Sequence, residues 1–126
     1  MSDPRSTSTR RVVNIYNKSA YRPYDLEGEM QEDMSYIDLT MNIDGDGNGA
    51  YLIRMEPGAE TIPHIHAGNE DYLILEGDLI ESDGTTYGVG DFIHYDPGTH
   101  HNSRTVGGCL LIGVDWNRRT PENEVG

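Results

Sequence analysis

An all-β architecture, barrel or sandwich, is what this chain of 126 residues predicts, and three observations carry the prediction. Glycine (15) and proline (6) punctuate the chain throughout. Between them the apolar runs are short and bounded by Gly, Asp and Asn, as strands joined by tight turns require. Nowhere is an apolar spacing of helical period sustained. A chain of this length builds one hydrophobic core, so a single domain is expected over residues 11–119.

Residues 1–10 are small and polar, too poor in apolar groups to offset the entropy of ordering, and are expected to form a disordered lead; residues 120–126 are expected to fray. Between these ends the pattern predicts strands near 12–16, 35–41, 50–56, 63–66, 71–76, 78–82, 85–87, 91–95, 101–105 and 109–115. Residues 19–34, with Pro23 and five acidic side chains, form the least regular stretch, suited to wrapping a barrel or closing its mouth. Asp44-Gly45-Asp46-Gly47-Asn48-Gly49 copies the first half of a calcium-binding loop. The twelfth position is Met55 where a bidentate glutamate is needed, so a hairpin turn is the expectation.

Twenty-two acidic residues against nine basic ones give a formal charge of −13 and a pI near 4.5. Such a surface repels phosphate backbones and anionic lipid, so neither nucleic acid nor membrane is an expected partner. Cys109 stands alone in an apolar run, which predicts a buried thiol. No signal-peptide pattern opens the chain and no segment reaches membrane-spanning length, so a cytoplasmic location is expected.

The chemistry concentrates in one region: all five histidines fall between residues 64 and 101. His64 and His66 stand two apart, and on a strand such residues project from one face. After the turn Ala67-Gly68-Asn69, Glu70 heads the next apolar run, so two imidazoles and a carboxylate converge. Nitrogen and oxygen donors of this kind suit one divalent zinc, iron, manganese, nickel or copper ion. The same alternation that turns Glu70 inward turns Tyr72 and Ile74 inward and leaves Leu73 and Leu75 outside. That outer face must be covered, by the N-terminal segment or by a second subunit, and a homodimer is the expected solution. Tyr36, Tyr51, Tyr72, Phe92, Tyr95 and Trp116 are assigned to core or pocket wall.

Residues 58–77 read G-x5-H-x-H-x3-E-x6-G, and residues 90–101 read G-x5-D-P-G-x2-H. These segments resemble the two motifs of the cupin superfamily. The second departs from the family pattern at Asp96, where proline is usual, and at Thr105, where asparagine is usual. The stretches 49–66, 70–77 and 96–101 are most similar to the ChrR-type branch. The resemblance implies a double-stranded β-helix of jelly-roll form and assigns the metal to His64, His66, Glu70 and His101, with Glu70 also the catalytic candidate. His100 and His94 are the competing fourth ligands.

Four protein donors leave coordination positions open for a small molecule, as catalytic sites require. The resemblance therefore implies a metal-dependent oxygenase acting on a small carbonyl-bearing or phenolic compound. A non-catalytic metal- or ligand-binding sensor is the alternative, and a sugar isomerase or epimerase the third. No Cys or His precedes His64, so nothing in the chain matches the zinc-bearing sigma-binding half of ChrR proteins.

Overall fold

In the computed structural model, residues 3–26, 28–65 and 67–118 are described, without the side chains of His64 and Ile65. Their regular structure consists of one 3-10 turn, Lys18–Ala20, and ten strands: β1 Arg22–Tyr24, β2 Gln31–Ile37, β3 Gly49–Met55, β4 His64–Ile65, β5 Asn69–Glu81, β6 Thr86–Gly88, β7 Phe92–Tyr95, β8 His100–His101, β9 Ser103–Arg104 and β10 Cys109–Trp116. Every pairing is antiparallel. One sheet runs β1-β2-β3-β10-β5-β6, with β7 and β9 also on β5, and β4 pairs with β8. The result is all-β, as expected, and no helix among the described residues is long and apolar enough to cross a membrane.

The thirteen residues of β5 organise the barrel. Its first half lies between β10 and β7, and its second half meets β6 and β9. The pairing with β10 slips where Leu110 faces Glu76 but Leu111 faces Ile74, which leaves Leu75 as the extra residue of a bulge. Gly77 follows at φ 79°, and a Cβ there would meet the Gly108 carbonyl oxygen at 1.9 Å. The bulge reverses the facing of side chains: Glu70, Tyr72 and Ile74 point inward before it, Leu79 and Glu81 after it. Two strands expected at 71–76 and 78–82 are therefore one bent strand.

Inside the barrel Tyr36, Tyr51, Ile53, Met55, Tyr72, Ile74, Leu79 and Leu111 form the main core. A second cluster sits on the outer face, where Ile37, Leu52 and Leu110 pack with Val13, Ile15, Tyr21, Leu39, Leu75 and Ile112. Here the expected strand at 12–16 is corrected. Asn14 caps a turn by accepting from the Tyr16 amide, and the Val12 amide bonds Ser6 Oγ, so the backbone is spent locally while Val13 and Ile15 still cover the sheet. The strand expected at 35–41 begins at Gln31 and ends at Ile37, and the irregular stretch contributes β1. Phe92 and Trp116, assigned to core or pocket wall, are 66% and 45% exposed. Ile93 and Tyr95 take the inward positions of β7, which turns Phe92 outward beside Leu73.

The Asp44–Gly49 segment is the hairpin connection into β3. The Asn42 carbonyl accepts from the Gly45 and Gly47 amides, and a strand follows directly. Cys109 is buried, and burial, aided by the Asp78 charge, pushes its thiol up to about 12. Arg54 lies over the Tyr21 ring, 5.3 Å from its centre, among residues of the outer cluster.

Candidate metal centre

The short β4–β8 ladder sets His64 opposite His101 and Ile65 opposite His100. This register sets the backbone of one first-motif histidine opposite that of one second-motif histidine. The imidazole of His64 and all of His66 lie outside the described residues. Among the described residues no three His, Cys, Asp or Glu side chains form a group able to hold a metal, but two of the four assigned ligands are brought together. His101 Nε2 lies 3.5 Å from Glu70 Oε1, and both side chains are buried. His100 is exposed. His94 is on the outer face, with Nδ1 2.6 Å from Asp71 and Nε2 3.0 Å from Asp96, while Asp71 also accepts from Trp116 Nε1. Those carboxylates hold the His94 pKa above its usual value.

His101 is fixed from several sides. Its Nδ1 lies 3.2 Å from Glu81 Oε2, and its ring stacks on Tyr95 at 4.2 Å and 11°. Glu81 Oε1 accepts from Ser103 Oγ at 2.9 Å and from the Tyr95 hydroxyl in a short hydrogen bond. Burial alone would lower the imidazole pKa, but Glu70 and Glu81 outweigh it and raise it to about 9. Burial likewise favours a neutral Glu81, and the His101 imidazole beside it, together with hydrogen bonds from Tyr95 and Ser103, overcomes it and holds the carboxyl below the ordinary range.

Glu70 has a second support. Tyr51 Oη lies 2.8 Å from Glu70 Oε2 and 2.9 Å from Asp115 Oδ1. One phenol proton serves one carboxylate at a time; burial and the neighbouring Glu70 charge push the Asp115 pKa above the ordinary carboxylate range, while the Tyr51 hydroxyl and Arg118 pull it down. Gly113 makes the arrangement possible, since a Cβ there would meet the Tyr51 ring at 2.6 Å. Burial above all keeps Tyr51 and Tyr72 protonated far beyond neutral pH, which makes them donors and not bases.

The donors fit a transition metal. Two atoms bound at ~2.1 Å in a tetrahedral arrangement lie ~3.4 Å apart, close to the 3.5 Å between His101 Nε2 and Glu70 Oε1. A histidine whose other nitrogen faces a carboxylate is the usual metal-ligating form. Beside Glu70 opens a cavity of about 280 Å³, walled by Leu26, Met41, Ile43 and Tyr72 and lined also by Asp46 and Arg118. Arg118 Nη1 is 3.1 Å from Asp115 Oδ2. The sequence did not single out Glu81, Ser103, Asp115 or Arg118. For Glu81 the available signal was Gly77, a break in strand alternation four residues upstream.

Comparison with known proteins places these features. No curated protein sequence matches the chain. A chain from the complex of Rhodobacter sphaeroides SigE with the anti-sigma ChrR is similar in fold (TM-score 0.59, 19% identity), the match covering 75% of this chain and 47% of that one. An acetylacetone dioxygenase from Acinetobacter johnsonii matches at TM-score 0.66 and 14% identity, over 98% of this chain and 88% of the other. The polyketide cyclase RemF from Streptomyces resistomycificus matches at 0.61 and 18%, over 86% and 83%. The sequence itself matches the ChrR cupin-like domain over residues 27–117, nearly all of the barrel, and the chain belongs to that family.

Proposed function

We propose that this protein is a metal-dependent oxygenase acting on a small carbonyl-bearing or phenolic compound, with one divalent metal held by His64, His66, Glu70 and His101. The observation that carries the proposal is the 280 Å³ cavity that Glu70 lines, a volume near the lower limit of small-molecule sites, where the apolar side chains of Leu26, Met41 and Ile43 meet the polar groups of Tyr51, Glu70, Asp115 and Arg118. When bound, the metal supplies Lewis acidity and, if redox-active, a template for dioxygen. The protein contributes the rest. Tyr51 holds Glu70 by its hydroxyl, Leu26, Met41 and Ile43 offer apolar surface to a substrate body, and Tyr72 faces the same space. Cleavage of a carbon–carbon bond between two carbonyls, with both atoms of dioxygen entering the products, balances without a further reductant. Fold similarity to an acetylacetone dioxygenase and a polyketide cyclase, both acting on carbonyl-rich compounds by name, supports the choice of substrate class.

The test is an oxygen-electrode assay over β-diketones, hydroxyaryl ketones and catechols with iron, manganese, nickel and copper forms. Oxygen uptake with at least one pair is expected, and Glu70→Ala is expected to abolish it even in excess metal. No uptake in any combination, together with a thermal shift from some metabolite, would favour the sensor alternative, which draws support from the ChrR relationship. A phosphorylated sugar suits the cavity poorly, since Glu70, Asp46 and Asp115 line it and Arg118 is already paired with Asp115.

A homodimer remains part of the proposal on narrower ground. Val13, Ile15 and Leu39 already pack against Leu75 and Ile112, while Phe92, Val114 and Trp116 stay exposed on the same face. Sedimentation at micromolar concentration is expected to show a dimer that Phe92→Asp disrupts; a monomeric wild type would mean that the N-terminal cover suffices.

A further inference from the structure

We propose that Glu81, held by Tyr95 and Ser103, is a positioning residue that fixes the His101 imidazole with Nδ1 toward Glu81 and Nε2 toward the metal. This role rests on the metal site proposed above. Glu81 belongs to neither histidine-bearing segment of the sequence, and it faces the interior only because the bulge at Leu75 reverses the alternation of β5. A carboxylate buried there is costly unless its oxygens are satisfied. Here Oε2 lies 3.2 Å from His101 Nδ1, while Oε1 accepts from Ser103 Oγ at 2.9 Å and from the Tyr95 hydroxyl.

The remaining freedom of the imidazole is rotation about its own axis, and Tyr95 restricts it. The two rings are stacked at 4.2 Å with planes 11° apart, so the phenol both lies against the imidazole and holds the carboxylate that the imidazole meets. With Nδ1 directed at Glu81, the same ring presents Nε2 to Glu70 Oε1 at 3.5 Å, the separation expected of two donors sharing a cation. A carboxylate in this position sets the tautomer and raises the donor strength of the ligating nitrogen. Tyr95 and Ser103 act on His101 only through ring contact and through Glu81, and are not catalytic residues.

The test uses the full chain, stripped of metal and titrated with zinc against a chromogenic chelator, as wild type, Glu81→Gln and Tyr95→Phe. Proton–nitrogen NMR of the histidine rings accompanies each titration, and circular dichroism checks the fold. Zinc affinity is expected to fall roughly 10–100-fold in Glu81→Gln, and less in Tyr95→Phe, which keeps the stack but loses the hydroxyl. A slowly exchanging His101 Nδ1–H resonance is expected in wild type and is lost in Glu81→Gln. Wild-type zinc affinity in a folded Glu81→Gln, with that resonance intact, would overturn the positioning role while leaving the metal site standing. No zinc binding by wild type would overturn the metal site itself, and this role with it.

Discussion

Removing the His101 imidazole is expected to empty the proposed metal site, while removing its neighbour at position 100 is expected to leave it filled. Loss of a ligand should cost more than the ~10–100-fold in affinity that loss of an outer partner costs, whereas His100 is exposed and directed away from the interior. His101 lies between Glu70 and Glu81, so His101→Ala leaves two buried carboxylates facing each other across a void. Breaking such a buried pairing destabilises a fold by ~3–5 kcal/mol. His101→Gln, which keeps bulk and a hydrogen-bond donor, therefore accompanies it. Elemental analysis of the three folded variants reads the result. Metal retained in both His101 variants and lost in His100→Ala would show that the second motif has been placed one residue out of register.

The largest effect on stability is expected at Gly77. Gly77 and Gly84 share nearly the same left-handed backbone, at φ 79° and 90°, but their surroundings differ. A Cβ at Gly84 meets nothing within 4 Å, while one at Gly77 would sit 1.9 Å from the Gly108 carbonyl oxygen, a backbone atom with no rotamer to yield. Gly84→Ala should cost only the ~1–2 kcal/mol of placing a side chain in that region. Gly77→Ala should cost more than ~4 kcal/mol, the range reserved for steric disruption of a packed structure. Urea denaturation of both variants measures the difference, since total stabilities of ~5–15 kcal/mol make such a gap plain. Equal midpoints would mean that the bulge relaxes to admit a methyl group.

Much of this structure was legible in the residues. The all-β class followed from glycines and short apolar runs, and the inward facing of Glu70, Tyr72 and Ile74 followed from strand alternation alone. Alternation misled where tertiary contacts override it. It marked Val12–Tyr16 as a strand, although Asn14 and Ser6 take up the backbone bonds of that segment. It gave no reason to connect Glu81 with His101, because that connection depends on an unpaired residue within β5 that only the register with β10 reveals. Motif spacing distinguished His101 from His100, and the structure buries the first and exposes the second. Tyr51 and Asp115 stayed invisible as supports for Glu70, being 19 and 45 residues from it in the chain and adjacent only across the sheet.

Glu70 and Glu81 lie at opposite ends of one continuous strand yet meet the two nitrogens of one five-membered ring. Drawn straight, the intervening chain would span ~36 Å at ~3.3 Å per residue, far beyond what two glutamate side chains and an imidazole can bridge. The strand must curl round His101 for both contacts to exist, so closing the barrel and assembling the site are a single event. Ligand occupancy and resistance to unfolding are consequently linked by mass action: whatever binds between Glu70 and His101 also clasps the two arms of β5.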